Sequence, residues 1–425
     1  MRYATGVQAL ASEETSLRSA WRAGLAGNLL LALALCMSCG GSSGGRGRLS
    51  DGSTAADSSE ASVPGAELWY GGVALCGLSH AQLEVSASVD PSVILSTFAL
   101  AAIYDVAFDA KGNAWVVGSG SDSVLRFPPG ALGQSGSAEP DLEIQSAALH
   151  HPGSLVFGAD GALWVANRGS PSGASDDAAG GSDDASGASD DASDGSSPAH
   201  DASPGPDQSH DGSLLRFQIP SGMTGVQTLA PTVRITSTRS GDLYDIGAIA
   251  LDASQSLWVT SFAGLLRFDN PAAQSGDVAL QPAAMIDKTG YPNNIYFYSV
   301  AFDAAGSLWA ASSDGLHYLT SITEFANPGG LVGRSNPAPA ATITGAMDLL
   351  PAGGIAFDGA GNLWFETGES ICMYSNAGSL NGTVNPDPAV TLQVAGRASP
   401  TTNSHLVFFP PPGSAAAQVV DAAAE

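Results

Sequence analysis

The chain has 425 residues, and its 15 Lys and Arg face 41 Asp and Glu, for a formal net charge of −26. Such a balance excludes nucleic acid as a partner, because phosphate binding needs clustered Lys and Arg, and the only lysines are Lys111 and Lys288. The length allows two or three average domains or a single large all-β domain.

The first segment reads as an export signal. Arg18 and Arg22 precede an apolar run over residues 25 to 35. That run is too short to span a bilayer and suits the core of a secretory leader. "CMSCGGSSGG" follows, with the small Ser38 just before Cys39 and a Gly/Ser stretch behind it. The arrangement resembles the lipobox of bacterial lipoproteins, in which cleavage leaves a lipid-modified Cys as the new first residue. The resemblance implies a signal peptide over 1–38, lipidation at Cys39, a flexible tether over 39–65 and a place in the bacterial cell envelope, with membrane contact through the lipid anchor only. The alternative is a plain secretory signal and a secreted product. Cys76 and Cys372 are the two cysteines beyond the leader.

From residue 66 onward one phrase recurs. Leu or Ala precedes a Trp at Trp69, Trp115, Trp164, Trp258, Trp309 and Trp364, with successive spacings of 46, 49, 94, 51 and 55 residues. The 94 includes the acidic segment 170–212, which carries ten Asp and no Lys or Arg. Without that segment the period is about 50 throughout, in the range of propeller blades. A second mark, Pro-x-x-x-Ile/Leu, follows each Trp, as in "PSVIL", "PTVRI" and "PAVTL". A third lies between them, in "VLRFPP", "LLRFQI" and "LLRFDN" and more loosely in "ITEFAN" and "ICMYSN".

Each copy has the grammar of four short strands separated by turn signals. An apolar strand such as "YDVAFD" leads through a turn to the Trp strand, a loop leads to the Arg-Phe strand, and a Gly/Pro/Asn-rich link leads to the strand after the Pro. The first strands are nearly continuous apolar runs, as for strands buried on both faces. Six such units predict an all-β, six-bladed β-propeller of four-stranded blades. The ends predict its closure. The first copy begins at its Trp strand, "AELWYGG", while "SHLVFF" near the C-terminus matches first strands and has no Trp strand after it. Strand 404–409 is therefore expected to complete the sheet begun by residues 66–96, giving a propeller over 66–409, with a disordered acidic loop at 170–212 and a disordered tail at 410–425.

"GGIAFDGAGNLWFETG" and "YDVAFDAKGNAWVVGSG" resemble the six-bladed propellers of the NHL-repeat group and its neighbours, the virginiamycin B lyase and gluconolactonase types. The resemblance implies the fold and leaves function open, because such propellers host lyases, hydrolases and binding modules. It also implies that the loops entering first strands and those joining second to third strands share one ligand-bearing face.

Individual residues carry two readings each. Asp109, Asp252, Asp303 and Asp358 open the turn after the first strand, often with Gly three residues on. Asp caps such turns through its side chain and Gly takes the left-handed position, whereas a metal site would need several carboxylates to converge. The recurrent Trp packs between blades, or else stacks on a sugar if exposed at the channel mouth. Cys76 and Cys372 occupy matching places in two blades, about 10 Å apart at sheet spacing, too far for a disulfide. The entering loops hold Tyr104, Asp105, His150, His151, Arg239, Tyr244, Asp245, Tyr298 and His405 as candidate ligand-face residues. The His pair could bind a metal or act as a base, or could simply form a loop.

These observations predict a monomeric, non-catalytic binding or scaffold module whose ligand is a protein, a glycan or a small molecule, with no cofactor or metal assigned. The alternative is a metal-assisted lactonase-type hydrolase or a lyase working at the axial channel. Palmitate labelling checks the anchor. The mature protein is expected to carry label and the Cys39→Ala variant none, and an unlabelled mature protein rules the anchor out.

Overall fold

In the computed structural model the six Trp strands are the second strands of six sheets, arranged as a six-bladed β-propeller. The structure describes residues 67–97, 99–119, 121–169, 212–290, 295–313, 319–344, 353–367, 370–394 and 405–409. The signal peptide, Cys39, the tether, the tail 410–425 and all of the acidic segment except Gly212 lie outside the described residues.

Each blade holds the four antiparallel strands that the repeat predicts. Blade 1 runs through Leu406–Phe408, Leu68–Tyr70, Leu75–Leu78 and Val93–Ser96. Blade 2 uses Ala102–Phe108, Ala114–Ser119, Ser123–Phe127 and Leu142–Gln145, and blade 3 uses Pro152–Phe157, Leu163–Asn167, Ser213–Phe217 and Val233–Ser237. Blade 4 follows with Ile249–Leu251, Leu257–Ser261, Gly264–Phe268 and Ala284–Asp287. Blade 5 has Tyr296–Phe302, Leu308–Ser313, Leu319–Phe325 and Ala341–Thr344, and blade 6 has Ile355–Phe357, Leu363–Thr367, Ser370–Tyr374 and Val390–Val394. The predicted closure is present, with Trp69 opposite Val407 and Tyr70 opposite Leu406 in an antiparallel pair.

The structure adds a fifth strand to every blade. The link between the third and fourth strands of each repeat pairs in parallel with the outer strand of the preceding blade. Gly136–Ser137 of blade 2 thus lies on blade 1, and Gly276–Leu280 of blade 4 lies on blade 3. The series closes on itself, because Ala87–Val89 of the first repeat pairs with Val390–Val394 of the last. These added strands occupy backbone groups that an outer edge would otherwise leave open. The ring is therefore fastened at two radii, inside by residues 406–408 and outside by residues 87–89.

The turn Asp and the Trp act together. In blade 2, Asp109 Oδ1 accepts the backbone N–H groups of Lys111 (2.9 Å) and Asn113 (3.0 Å). Its Oδ2 accepts the Trp115 indole Nε1–H at 2.9 Å. The indole bond recurs for Asp252 and Trp258 at 3.2 Å, Asp303 and Trp309 at 3.0 Å, and Asp358 and Trp364 at 2.9 Å. Gly112, with φ +78°, supplies the left-handed residue of the turn. Blade 3 departs from the pattern: Gly158 stands at the Asp position, and Asp160 takes the Ala162 N–H at 3.0 Å while pairing with Arg216.

Five of the indoles, four of them held at the nitrogen by the turn Asp, pack against the first strand of the next blade. Trp69 meets Phe108, Trp115 meets Phe157, Trp258 meets Phe302, Trp309 meets Phe357 and Trp364 meets Phe408, with centroids 5.7–6.4 Å apart. A buried Trp removes 150–250 Å² from water, a gross gain of roughly 4–6 kcal/mol at each interface. The Arg of the third strand lies over the same ring in blades 2 and 4 and reaches the next repeat. Arg126 donates to the Met223 carbonyl, and Arg267 to those of Pro328 and Gly329. Blade 5 carries Glu324 at this position, and burial pushes its carboxyl above the usual range, with Asp303 adding to the rise. Cys76 and Cys372 are both free thiols, the second buried and the first half-buried.

Replacing Asp303 by Ala strands the buried Trp309 N–H and opens the turn. The expected loss is about 2–3 kcal/mol, read as a lower urea midpoint at unchanged m. A shift no larger than that of a surface substitution would show that the indole bond adds nothing.

Candidate functional site

The four antiparallel strands of a blade place two kinds of loop at one end: those entering first strands and those joining second to third strands. The predicted site residues belong to this face or to the inner strands just beneath it.

Six positions, five of them ten residues before a Trp and the sixth just before the closing strand, stand at one level of the inner strands. In blades 1 to 6 they are His405, Asp105, Ser154, Ala248, Ser299 and Gly354. Register defines them: Asp105 lies opposite Val117, Ser154 opposite Ala166 and Ser299 opposite Ala311, two residues beyond the Trp in each case. The bonds from Thr260 N to Ala248 O and from Glu366 N to Gly354 O place the next two, and His405 directly precedes the Leu406–Tyr70 pair.

Side chains at this level bond from blade to blade. Asp105 Oδ2 accepts the Ser154 hydroxyl (2.6 Å) and the Leu155 N–H (2.8 Å), and it lies 3.0 Å from His405 Nδ1. Its Oδ1 accepts the Val106 N–H at 2.8 Å. Ser154 Oγ in turn accepts the Ile249 N–H at 3.2 Å, and Ser299 Oγ accepts that of Ile355 at 3.1 Å. In each case the acceptor serves the residue just after the equivalent position in the next blade. Where the first strand offers only Ala248 or Gly354, a second-strand side chain bonds within the same blade instead: Thr260 Oγ1 accepts the Ala248 N–H and Glu366 Oε2 that of Gly354. Gly354 also permits close approach, since a Cβ there would lie 2.4 Å from Leu406 N.

This array contains Ser, Asp and His but not in the order of a nucleophile relay. Ser154 donates to Asp105 rather than to His405, so the imidazole is not placed to take its proton. His405 Nε2 is buried without a hydrogen-bond partner among the described residues.

The remaining predicted residues divide. Tyr104 and Tyr298 are the extra residues of bulges in their strands, between Ile103 and Asp105 and between Phe297 and Ser299. Tyr104 lies 5.4 Å beneath the Arg168 guanidinium, and the Tyr298 hydroxyl accepts from Ser313 Oγ at 2.9 Å. His150 and His151 form a loop, with the His150 N–H bonded to Asn167 Oδ1 and the His151 N–H to Asp122 Oδ1 at 2.7 Å. His150 Nδ1 is 4.0 Å from Asp122. Among the described residues, no three His, Cys, Asp or Glu side chains are placed to hold a metal ion. A shallow depression of about 380 Å³ beside this loop is lined by Asp122, Glu143, Gln145 and Thr228. Arg239 is exposed, and Asp245 sits in the left-handed region at φ +51°.

Tyr244 leads to a group that the sequence did not mark. Its ring, 45% exposed, meets Phe262, 41% exposed, edge-on at 5.6 Å, and Phe262 meets Tyr296 at 5.4 Å. The Lys288 ammonium lies 3.3 Å from the Phe262 centroid and 4.2 Å from that of Tyr296. Burial pulls the Lys288 amine below the usual lysine range, with neighbouring Asp287 opposing. Asp287 itself is held by Thr289, through its N–H and hydroxyl at 2.9 Å each, and by Arg334. The sequence signal was the rarity of lysine, which leaves Lys288 as one of two.

No family model matches the sequence, and no curated protein matches it. Among solved structures, the chain is similar to a protein of unknown function from Bacteroides caccae, at 10% identity and a TM-score of 0.42 over 78% of this chain and 99% of that one. It is also similar to a streptogramin B lyase structure, at 10% identity and a TM-score of 0.41 over 79% and 87%. A third is the extracellular domain of the putative hybrid two component system BT4673 from B. thetaiotaomicron, at 12% identity and a TM-score of 0.39 over 65% of this chain. The match spans only 30% of that protein's chain. At these values the propeller rests on the chain's own six sheets.

Asp105→Ala removes the acceptor of four buried contacts and is expected to cost about 3 kcal/mol, against about 1 kcal/mol for Ser299→Ala. Calorimetric unfolding checks this, and equal small costs for both would show that the inner level does not hold the ring.

Proposed function

We propose that the chain is an exported, non-catalytic binding module whose ligand surface is the rim of blades 4 and 5. The observation that carries this reading is the run of aromatic rings Tyr244, Phe262 and Tyr296, the first two exposed, with Lys288 seated on the last two. Such rings bring large apolar area at low entropic cost, as ligand surfaces require. The chemistry-bearing side chains of the inner level support it from the other direction. Asp105, Ser154 and Ser299 satisfy backbone N–H groups of neighbouring blades, which is a structural use of those residues. Export rests on the leader, with Cys39 as the proposed site of lipid attachment and the cell envelope as the location.

A second reading has one observation in its favour. His405 Nδ1 faces Asp105 while Nε2 has no partner among the described residues, an arrangement that suits a general base at the axis.

Screening the mature protein against immobilised envelope saccharides and peptides separates the two. Wild type is expected to retain ligands that the Tyr244→Ala/Phe262→Ala variant loses, with Val226→Ala on an outer strand as an unaffected control. Unchanged retention by the double variant rejects the rim. Turnover of a retained compound that disappears in His405→Ala favours the axial base.

A further inference from the structure

We propose that the rim recognises an organic acid that presents a ring beside its carboxylate, the ring lying on Tyr244 and Phe262 and the carboxylate on Lys288. This rests on the rim being the ligand surface. Charge placement carries the argument. Five described arginines of the propeller, Arg126, Arg216, Arg234, Arg267 and Arg334, each pair with an Asp. Arg168, Arg239 and Lys288 have no carboxylate within ion-pair distance among the described residues, and all three lie in loops of the same face. Lys111 sits in a turn at the opposite end.

Scarcity of carboxylates is not the cause, because the chain has 41 acidic residues to 15 basic ones. Asp287, next in sequence to Lys288, is turned to Arg334 and Thr289 instead. The ammonium rests on the faces of Phe262 and Tyr296, a contact that holds the charge without giving its N–H donors an oxygen acceptor. Those donors are left for an acceptor that the chain does not supply among its described residues. A carboxylate there would form a charge-assisted bond, and a ring attached to it would reach the exposed aromatic surface of Phe262 and Tyr244. A phosphate polymer fits poorly, since the three cations are isolated within a strongly anionic chain.

Titration calorimetry on the full mature protein tests this with trigalacturonate, its methyl ester and 4-hydroxybenzoate. At least one acid is expected to bind, trigalacturonate if the source is a saccharide and 4-hydroxybenzoate if it is an aromatic acid. Lys288→Met is expected to weaken that acid at least tenfold, while Lys288→Arg retains most of the affinity. For trigalacturonate, the methyl ester is expected to bind wild type about as weakly as the acid binds Lys288→Met. Raising salt from about 0.05 M to about 0.5 M is expected to weaken acid binding. Unchanged thermal midpoints confirm that the variants fold. Equal binding of trigalacturonate and its ester, full affinity in Lys288→Met, or no binding of either acid at millimolar concentration overturns the proposal. If Phe262→Ala abolishes binding that Lys288→Met leaves intact, the rim stands and the charge assignment falls. If Phe262→Ala changes nothing, the rim falls with it.

Discussion

The propeller depends on one shared carboxylate. The turn Asp of blades 2, 4, 5 and 6 gives one oxygen to the backbone of its turn and the other to the indole of the following strand. A local feature, the turn between the first two strands, thereby orients the side chain that makes the longest-range contact, the one to the next blade. The cost of burying the indole N–H is met inside the same repeat, so the interface itself can be apolar. Blade 3 shows the arrangement under substitution. With Gly158 at the Asp position, the acidic side chain moves two residues on to Asp160 and binds the third-strand Arg216 instead.

Closure follows the same economy of parts. Each repeat lends a strand to the blade before it, and the third-strand Arg of blades 2 and 4 holds the link from which that strand springs. No blade is complete from its own repeat alone. The ends of the chain obey the same rule, residues 406–408 on the inside and residues 87–89 on the outside. Cooperativity between blades is thus built into the strand exchange as well as into side-chain packing.

The sequence disclosed whatever repeats. Blade number, strand order and the closing strand were legible because the same residue types return every 50 or so positions, and the Trp was rightly placed between blades. The coupling of Asp to Trp was not read, since it needs the two ends of a turn seen together. The fifth strand was hidden in links that vary in length and read as Gly/Pro-rich connections. The inner level escaped for another reason. His405, Asp105, Ser154, Ala248, Ser299 and Gly354 share a position but, the two serines apart, no residue type, because a next-blade backbone N–H can be met by Asp or Ser alike and Gly need only make room for one. Its signal was a constant offset of ten residues from Trp in five copies. Tyr104 and Asp105 are neighbours in sequence but serve differently, the bulge turning one out beneath Arg168 and keeping the other in the inner level.

The rim lies beyond this reach because its parts come from three loops of unrelated sequence. Phe262 belongs to a two-residue connection within blade 4, Lys288 to the link between blades 4 and 5, and Tyr244 to the link before blade 4. Nothing in their spacing relates them; the ring does. Repetition fixes where the loops begin and end, so a loop can seat a few residues in the core, as Leu243 and Ile246 do, while the residues it exposes, such as Tyr244 and Phe262, vary without disturbing the blades. The same division explains the charges. Repeated arginines are tied to repeated or adjacent carboxylates and stabilise the frame. The basic residues outside the repeat on this face, Arg168, Arg239 and Lys288, are left without such partners among the described residues. In a chain of net charge −26, an ammonium seated on aromatic rings, with no carboxylate at ion-pair distance among the described residues, suits an anion from outside.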